Sequence, residues 1–321
     1  MYTIQEIKNK LAKEKNKKRI VLPEGEAKII QDVAKTLIEK NLGLPILVFK
    51  YEKDIPSELK KYSNLEIIAL DKFNTEEFEK KFVEIRKGKA TPEQATAMMK
   101  LPNYIGCMLV KTNQADCMLS GLNNTTADTI RPALQIIGTK PQYSIASTVL
   151  IMAKNDEKYI FTDCALNIKP TSEQLVDITE MAAEFAKTIN VQNIEATLLS
   201  YSTNGSGKGE DVDRVNKAVQ ILKSKEKNYK VEGEIQFDAA FDKLVRDKKF
   251  KDNILTKKTP DIFVFPEIHS GNIGYKIAQR MGGYEAIGPF VLGLNQPVND
   301  LSRGATFDDV LNTAIMTLFL S

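Results

Sequence analysis

The chain has 321 residues, of which 42% are hydrophobic and 27% are charged, and its formal net charge is +3. This length suits about two domains, and the composition is that of a soluble globular protein. No apolar run reaches the roughly 20 residues of a membrane span, and the charged amino terminus lacks a signal-peptide core, so we expect a cytoplasmic protein that does not bind membranes.

The cysteines, the single histidine and the basic segments argue against several function classes. Cys107, Cys117 and Cys164 lie in apolar sequence and are predicted to be buried free thiols of a reducing compartment. His269 is the only histidine and no CxxC occurs, which argues against an ordinary zinc site and weakens any Ser-His-Asp arrangement. The lysine-rich segments interleave acidic residues and hold few aromatics, so they indicate solvated helix faces rather than nucleic-acid binding.

Strands and helices alternate along the first part of the chain, which predicts a parallel sheet with crossover helices. An amphipathic helix is predicted over residues 3–18. The predicted strands that follow cover residues 19–23, 43–49, 66–70 and 115–122, and the predicted helices cover residues 24–41, 74–89, 91–114 and 125–138.

The alternation begins again after residue 142. Adjacent strands are predicted at 144–152 and 158–166, and further strands and helices continue to residue 294. The sequence therefore predicts an α/β protein of two three-layer α/β domains. The first is predicted to comprise residues 1–141 plus 290–321, because the last apolar helix needs a sheet to cover it, and the second residues 142–289.

A glycine-rich turn, NGSGKG at residues 204–209, follows a predicted buried strand. It does not fit a nucleotide-binding P-loop, because Ser202 stands where the first glycine belongs and Gly209 replaces the Ser or Thr after the lysine. Two interpretations stay open. The turn receives a phosphate on its backbone N–H groups, or it only reverses the chain.

Residues 297–309, reading PVNDLSRGATFDD, hold an unusual density of polar side chains just before the last helix. The pattern predicts an anion-binding loop, although Thr306 and Asp309 also fit a capping box for that helix. Arg131 is a second candidate, because a guanidinium among apolar residues beside Pro132 favours a bidentate carboxylate or phosphate partner. Arg86 alone is more typical of a solvated helix.

The order of several blocks resembles the phosphate acetyltransferase (phosphotransacetylase) family, part of the phosphate acetyl/butyryltransferases, from end to end. The matching blocks are RIVLPEGE, TTADTIRPALQIIGTKP, TDCALN, LLSYSTNGSGKG, VEGEIQFDAA, GNIGYKIAQRMGGYEAIGPFVLGL and PVNDLSRG. The departures are small: TDC replaces ADC, HSGN stands where LNAGN is commoner, and the IRKGKAT block is slightly altered around Arg86.

The resemblance implies reversible acetyl transfer between coenzyme A and inorganic phosphate, with no metal or redox cofactor. It implies two α/β domains in the isocitrate/isopropylmalate dehydrogenase-like arrangement, a cleft between them, and a homodimer. Acetyl-CoA, acetyl phosphate and phosphate would be the small-molecule partners. Chemistry would proceed in a ternary complex by direct attack of the thiolate, without a covalent enzyme intermediate.

The resemblance also assigns residue roles. Asp309 would be the base that takes the thiol proton, Arg303 would stabilise the charge that develops on acetyl phosphate, and Ser302 would donate a hydrogen bond to it. The substrate-binding residues would be Arg131, Arg86 and Asn299, the last of which would contact bound phosphate.

Three other functions fit parts of the pattern. A phosphate butyryltransferase would share the blocks and differ in its acyl pocket. A non-catalytic module that senses acyl-CoA would have the same fold, although Ser302, Arg303 and Asp309 occur together here. A dehydrogenase of this architecture is disfavoured, because its dinucleotide signatures and clustered metal-binding aspartates are absent from the sequence.

Overall fold

The computed structural model describes residues 1–321, which form two compact units. We call residues 3–140 with 294–321 the N-terminal unit, and residues 1–2 with 141–293 the central unit. Residues 1–2 and 141, predicted for the first unit, lie in the central unit instead, and so do residues 290–293. For residues 290–293 the reason is strand pairing: Phe290, Val291 and Leu292 lie opposite Val149, Thr148 and Ser147 in an antiparallel ladder.

The chain contains eleven strands and twelve α-helices. The strands are β1 (Arg19–Leu22), β2 (Leu44–Phe49), β3 (Glu66–Ala69), β4 (Cys117–Ser120), β5 (Ser147–Lys154), β6 (Glu157–Thr162), β7 (Glu195–Leu199), β8 (Lys230–Ile235), β9 (Ile262–Val264), β10 (Glu285–Leu292) and β11 (Val298–Asp300). The helices are α1 (Ile4–Lys13), α2 (Lys28–Glu39), α3 (Glu76–Arg86), α4 (Pro92–Met98), α5 (Pro102–Lys111), α6 (Thr126–Pro132), α7 (Ser172–Thr188), α8 (Glu210–Ser224), α9 (Phe237–Phe241), α10 (Lys243–Lys249), α11 (Ile268–Arg280) and α12 (Phe307–Leu320). None of the helices is both long enough and apolar enough to cross a membrane.

The N-terminal unit is built on a five-stranded sheet in the order β11-β4-β1-β2-β3, and every pair of neighbours is parallel. The central strands are buried on both faces, as the apolar run RIVL predicts for a parallel sheet. Helix α5 packs against β1, β2 and β4, while α12 packs against β1, β4 and β11 and contacts α1 and α2. The apolar last helix is thereby covered.

The central unit is built on a six-stranded sheet in the order β10-β5-β6-β9-β7-β8. Strands β10, β5 and β6 are antiparallel neighbours, and the other pairs are parallel. Helices α7 and α8 pack on this sheet and on each other. A cluster of aromatic residues, among them Phe161, Phe263 and Phe265, forms part of the buried core.

The predicted fold class, two α/β units, is confirmed. Several predicted helices are shorter or divided in the structure. The helix predicted over 3–18 ends at Lys13, and the one predicted over 24–41 begins only at Lys28. The helix predicted over 125–138 ends as α6 at Pro132 and continues as a wider turn, Ala133–Ile137. Pro132 lacks the N–H that the regular ladder needs, which explains a change of helix type near it.

Candidate functional site

The carboxyl ends of the five strands of the N-terminal unit all point to one edge of its sheet, because the strands are parallel. Strand β1 ends at Leu22, β4 at Ser120 and β11 at Asp300, and Asp300 lies opposite Ser120 in the ladder. The loops 121–125 and 301–306 therefore leave from adjacent strand ends. In open α/β sheets this edge is where ligands bind.

Arg131 lies on α6, a short helix fixed at its first turn. Thr125 and Asp128 form the capping box that begins α6: the Thr125 hydroxyl accepts from the Asp128 N–H at 3.3 Å, and the Thr125 N–H donates to Asp128 Oδ2 at 3.2 Å. The hydroxyl of Thr126 donates to Asp300 Oδ2 at 2.7 Å and ties the helix to the end of β11. Arg131, in the last turn, is exposed.

Arg86 and Arg131 line the same cavity. Arg86 is the last residue of α3, which ends because Lys87 (φ 46°) and Gly88 (φ 82°) adopt left-handed conformations. The cavity has a volume of about 800 Å³, is formed wholly by residues of the N-terminal unit, and is lined by both arginines. This volume is within the range of small-molecule sites. The structure thus brings together the two arginines that sequence reasoning nominated from separate segments.

The charge of this cavity is mixed. Lys50 and Lys89 join the two arginines on its wall, while Glu24, Glu26, Asp54 and Asp128 supply carboxylates. Buried Tyr104 also lines it and donates its hydroxyl to Gln135 at 2.9 Å. Burial raises the pKa of Tyr104, and the positive charges of Arg131 and Arg86 oppose that rise. Both guanidinium groups are therefore close enough to act on one phenol.

Ser302 and Arg303 lie in the loop between β11 and α12, and both are exposed. The loop closes on itself through a hydrogen bond from the Ala305 N–H to the Ser302 carbonyl at 2.9 Å. Neither side chain lines the cavity of Arg86 and Arg131. The structure places them at the same sheet edge, one strand away from the β4 end that leads to Arg131.

Asp309 caps the amino end of α12. Its Oδ2 accepts from the Thr306 N–H at 2.8 Å and from the Thr306 hydroxyl at 2.7 Å, while its own N–H donates to that hydroxyl at 3.3 Å. The predicted capping box is thus present. Asp309 itself is exposed to solvent.

Asn299 has a position that does not suit the predicted contact with phosphate. It lies in β11 with 0% exposure, and its carboxamide donates to the Thr317 hydroxyl of α12 at 2.9 Å. An alternating strand directs successive side chains to opposite faces, and this one faces the helix layer. The geometry therefore gives Asn299 a structural role, joining the strand to α12.

Glu24 is a functional candidate to which sequence reasoning assigned no role. It follows β1, is 7% exposed and lines the arginine cavity. Its Oε2 accepts from the N–H groups of Gly121 at 2.8 Å and Leu122 at 2.9 Å, and its Oε1 accepts from the Asn123 N–H at 2.6 Å. The sequence did contain a signal for Glu24: the acidic PEGE segment directly follows a buried strand, and so lies at the sheet edge where the parallel strands end.

Asp300 is a second buried carboxylate at this edge. Burial raises the pKa of Asp300, the hydrogen bond from Thr126 opposes the rise, and the negative charge of nearby Glu24 adds to it. The two carboxylates therefore reach the 121–126 segment from β1 and from β11, the strands on either side of β4.

The glycine-rich turn 204–209 uses much of its hydrogen-bonding capacity internally. Buried Glu234 accepts from the Gly205 N–H at 2.8 Å and from the Ser202 hydroxyl at 2.7 Å, and Ser202 accepts in turn from the Gly207 N–H at 2.8 Å. Amides held by these acceptors are not available to a phosphate. Of the two interpretations, the structure favours a turn that only reverses the chain.

The three cysteines are free and buried, as predicted. Burial raises the pKa of each thiol, for Cys117 to about 12, so a thiolate is disfavoured at all three. Cys164 accordingly is a structural residue of the buried core and not a nucleophile. No group of three or more His, Cys, Asp or Glu side chains is arranged to hold a metal ion, and His269 is exposed in the first turn of α11.

The central unit has a second cavity of about 700 Å³, which we call the aromatic cavity because several aromatic rings lie in its mainly apolar wall. Phe161, Phe237, Phe241 and Tyr284 are among the residues that line it. Helix α11 borders this cavity through Ile277. An exposed apolar row, which we call the α11 ridge, consists of Ile273 (56% exposed) and Ile277 (53%) on α11 and Met281 (84%), the C-cap residue directly after the helix. These residues recur every four positions and so share one helix face.

Comparisons with known proteins give matches over nearly the whole chain. The chain matches the family described as phosphate acetyl/butaryl transferase over residues 2–318. A phosphate acetyltransferase from Mycoplasma capricolum is 74% identical over 321 residues, which are 100% of both chains. A crystal structure of a phosphotransacetylase from Streptococcus pyogenes has a TM-score of 0.92 at 40% identity and covers 99% of this chain and 98% of its own.

A similar fold also occurs in a protein of much lower sequence identity. The crystal structure of a 4-hydroxythreonine-4-phosphate dehydrogenase from Klebsiella pneumoniae has a TM-score of 0.53 at 13% identity and covers 94% of this chain and 98% of its own. At that identity the likeness concerns the fold alone. It agrees with the dehydrogenase-like architecture expected from the sequence.

Proposed function

Since the chain belongs to the phosphate acetyl/butyryltransferase family, we propose that it is an acyltransferase that moves an acetyl group reversibly between coenzyme A and inorganic phosphate. The observation that carries the proposal beyond family membership is the pairing of Arg86 and Arg131 in one cavity at the carboxyl edge of a parallel sheet. Two guanidinium groups and two lysines in the lining can bind phosphate oxygens, and one of the four carboxylates beside them, Glu24, is engaged by backbone N–H groups.

The loop after β11 supplies the second part of the proposed site. Exposed Ser302 and Arg303 leave the same sheet edge and are free to approach a small anion. In the proposed reaction the thiolate of coenzyme A attacks the carbonyl carbon of acetyl phosphate. Charge builds up on the carbonyl oxygen and then on the departing phosphate. A guanidinium and a hydroxyl directed at these oxygens would stabilise that charge.

The proton of the thiol sets the main chemical difficulty. A free thiol has a pKa of about 8.5 and a carboxylic acid one near 4, so transfer to a carboxylate is uphill by roughly 6 kcal/mol. We assign Asp309 as the acceptor, with its Oδ1 free of the capping bonds that hold Oδ2. The positive amino end of α12 and the charge of Arg303 would stabilise the thiolate and reduce the uphill step.

No covalent intermediate is part of this proposal. Holding both substrates in one site converts a bimolecular step into an effectively unimolecular one, which supplies much of the acceleration. The residues named need neither a metal nor a redox cofactor for their roles. The buried thiols would take no part, because burial disfavours their nucleophilic form.

A homodimer in the cytoplasm completes the proposal. The α11 ridge supports the dimer, because exposed apolar side chains in a row mark protein contacts more often than solvated faces. A second copy that covers the ridge would also cover part of the aromatic cavity beside Ile277.

Two rival functions remain to be separated by experiment. A phosphate butyryltransferase would use the same arginines with a wider acyl pocket. A non-catalytic acyl-CoA sensor would bind coenzyme A at the arginine cavity without turning it over.

The deciding experiment measures acetyl-CoA formation from acetyl phosphate and coenzyme A by the purified full chain in the presence of a metal chelator. We expect turnover that depends on both substrates, and a higher kcat/KM for acetyl phosphate than for butyryl phosphate. A preference for butyryl phosphate would identify the butyryl enzyme. Binding of coenzyme A without turnover would refute the transferase proposal and favour the sensor.

A further inference from the structure

We propose that Glu24 is a positioning residue for the acyl-transfer site, acting through the loop 121–125 on Arg131. The proposal rests on the transferase function above. It concerns a residue that need not touch a substrate, and it connects a buried carboxylate to the start of the helix that carries Arg131.

The contacts of Glu24 are those of an anchor. Three consecutive backbone N–H groups, from residues 121–123, converge on its two carboxylate oxygens at 2.6 to 2.9 Å. The Ser120 hydroxyl lies 3.4 Å from the same carboxylate. Consecutive N–H groups pointing to one centre form a concave anion site, and here a side chain from β1 occupies it.

Because the Glu24 carboxylate occupies this concave site, the loop does not serve as a phosphate-binding site. The three amides resemble a phosphate cradle, but the carboxylate already accepts from all of them. A phosphate would have to displace a buried negative charge to bind there. Glu24 is also a poor candidate for a base, because both oxygens are engaged and only 7% of the residue is exposed.

The loop held by Glu24 leads directly into the helix that carries Arg131. Thr125 caps α6, and Thr126 is bonded to Asp300 at the end of β11. The Asn103 carboxamide donates to the Asp128 carbonyl at 2.9 Å and accepts from the Ser120 hydroxyl at 2.9 Å. Glu24 therefore supplies the anchor on the β1 side, and without it the first three loop residues lose their common acceptor.

The test replaces Glu24 by glutamine in the full chain. An amide has one acceptor oxygen, so at least one of the three N–H groups would face an NH₂ group instead. We expect kcat/KM for acetyl phosphate to fall on the order of tenfold to 100-fold, because a shift of Arg131 by about 1 Å relative to the substrate has an effect of that size. Hydrogen exchange of the amides at 121–123 should become faster in the variant.

Glu195→Gln is the matched control. Glu195 is 1% exposed and likewise accepts from two consecutive N–H groups, of Thr256 at 2.8 Å and Lys257 at 3.0 Å, but it lies in the central unit. We expect both variants to lower the melting temperature and only Glu24→Gln to lower kcat/KM. If Glu24→Gln keeps kcat/KM within about twofold of Glu195→Gln, Glu24 is merely structural and the proposal fails.

A double-mutant cycle tests the route through Arg131. In an Arg131→Ala background, Glu24→Gln should have less than about twofold further effect on kcat/KM, because the group it positions is absent. If Glu24→Gln lowers kcat/KM by the same factor in the wild-type and Arg131→Ala chains, Glu24 does not act through Arg131. If Glu24→Gln does not fold, Glu24→Asp, which keeps the charge but shortens the side chain by one methylene, serves in both measurements.

The two proposals fail in different ways. A wild-type chain without acyl transfer would refute the function, and hydrogen exchange would then judge the anchor by itself. Unchanged exchange at 121–123 in a folded Glu24 variant would refute the anchor, whatever the activity of the wild type.

Discussion

Two different demands fall on the carboxylate of Asp309. One oxygen accepts the two bonds from Thr306 that complete the cap of α12. The proposed chemistry requires the same group to receive a proton. A cap tolerates this double use, because Oδ1 carries none of those two bonds. In the proposed reaction, the thiolate must be stabilised by the groups around this carboxylate.

Replacing Asp309 by asparagine separates these demands. The amide oxygen can still accept from Thr306, so we expect the free energy of unfolding to change by less than about 1 kcal/mol. We expect kcat to fall on the order of 100-fold, because the amide cannot take a proton at neutral pH. Steady-state kinetics and denaturant unfolding measure the two quantities on the same preparation.

Thr306→Ala provides the complementary control. It removes the hydroxyl of the capping box and leaves the carboxylate, so about 1 kcal/mol of stability should be lost while most of the turnover remains. Should both variants lose turnover equally, Asp309 is a cap and another group takes the proton.

Buried carboxylates that hold loops recur throughout this fold. Glu24 holds the segment after β4, Glu234 the turn after β7, and Glu195 the segment that begins at Thr256. Each accepts backbone N–H groups that a crossover loop would otherwise leave unpaired in a partly buried place. A charged acceptor makes stronger hydrogen bonds than a neutral one, which suits loops that must be rigid.

The pH dependence of stability tests the Glu195 anchor. Burial raises the pKa of Glu195, but the hydrogen bonds from Thr256 and Lys257 outweigh it, so the pKa is lowered from its ordinary value of 4.5. A lowered pKa gives stability that is present above about pH 4.5 and lost as the pH falls through the folded-state value. Above pH 5 we expect Glu195→Gln to cost about 1 to 3 kcal/mol.

Denaturant unfolding of wild type and variant between pH 3.5 and 7 would measure the difference. It should shrink below about pH 4.5. Ile262→Val, which removes a buried methyl group from β9 and no titrating group, should show a difference that is independent of pH. A constant difference for Glu195→Gln would contradict the anchoring account.

At the scale of elements, the sequence predicted most strands and helices because apolar periodicity reports burial directly. It placed the segment of β11 in the correct unit, but it did not predict to which sheet β10 adds. Residues 290–293 read as the start of a return to the first unit, yet β10 pairs with β5, a contact between segments about 140 positions apart. Local pattern carries no information on such pairings.

The sequence likewise indicated some residues of the candidate site and not others. Side-chain type drew attention to Arg131 and to the 297–309 loop, and family resemblance added Arg86. The sequence could not distinguish Asn299, which faces α12, from Ser302 three residues later, which is exposed. Nor could it identify Glu24 as an anchor, because the loop it binds begins 97 positions away.

On the scale of the whole molecule, each unit has its own sheet and its own core, and the α11 ridge belongs to the central unit alone. The ridge is exposed although it lies beside the aromatic cavity, whose wall is mainly apolar. Exposed apolar residues that occur singly need no explanation, but three on one helix face next to an apolar cavity do. A second copy of the chain is the partner that we propose for them.

Ile277→Asp should disrupt that homodimer, because it places a charge at the centre of the α11 ridge and beside the aromatic cavity. We expect wild type to sediment as a dimer at micromolar concentration and the variant to sediment chiefly as a monomer. Leu244→Asp is the matched control: Leu244 is 81% exposed on α10 and lies outside both the ridge and the cavity lining, so this variant should stay dimeric. A monomeric wild type would contradict the homodimer. Two variants that dissociate alike would move the interface away from α11, since the ridge would then have no special part in assembly.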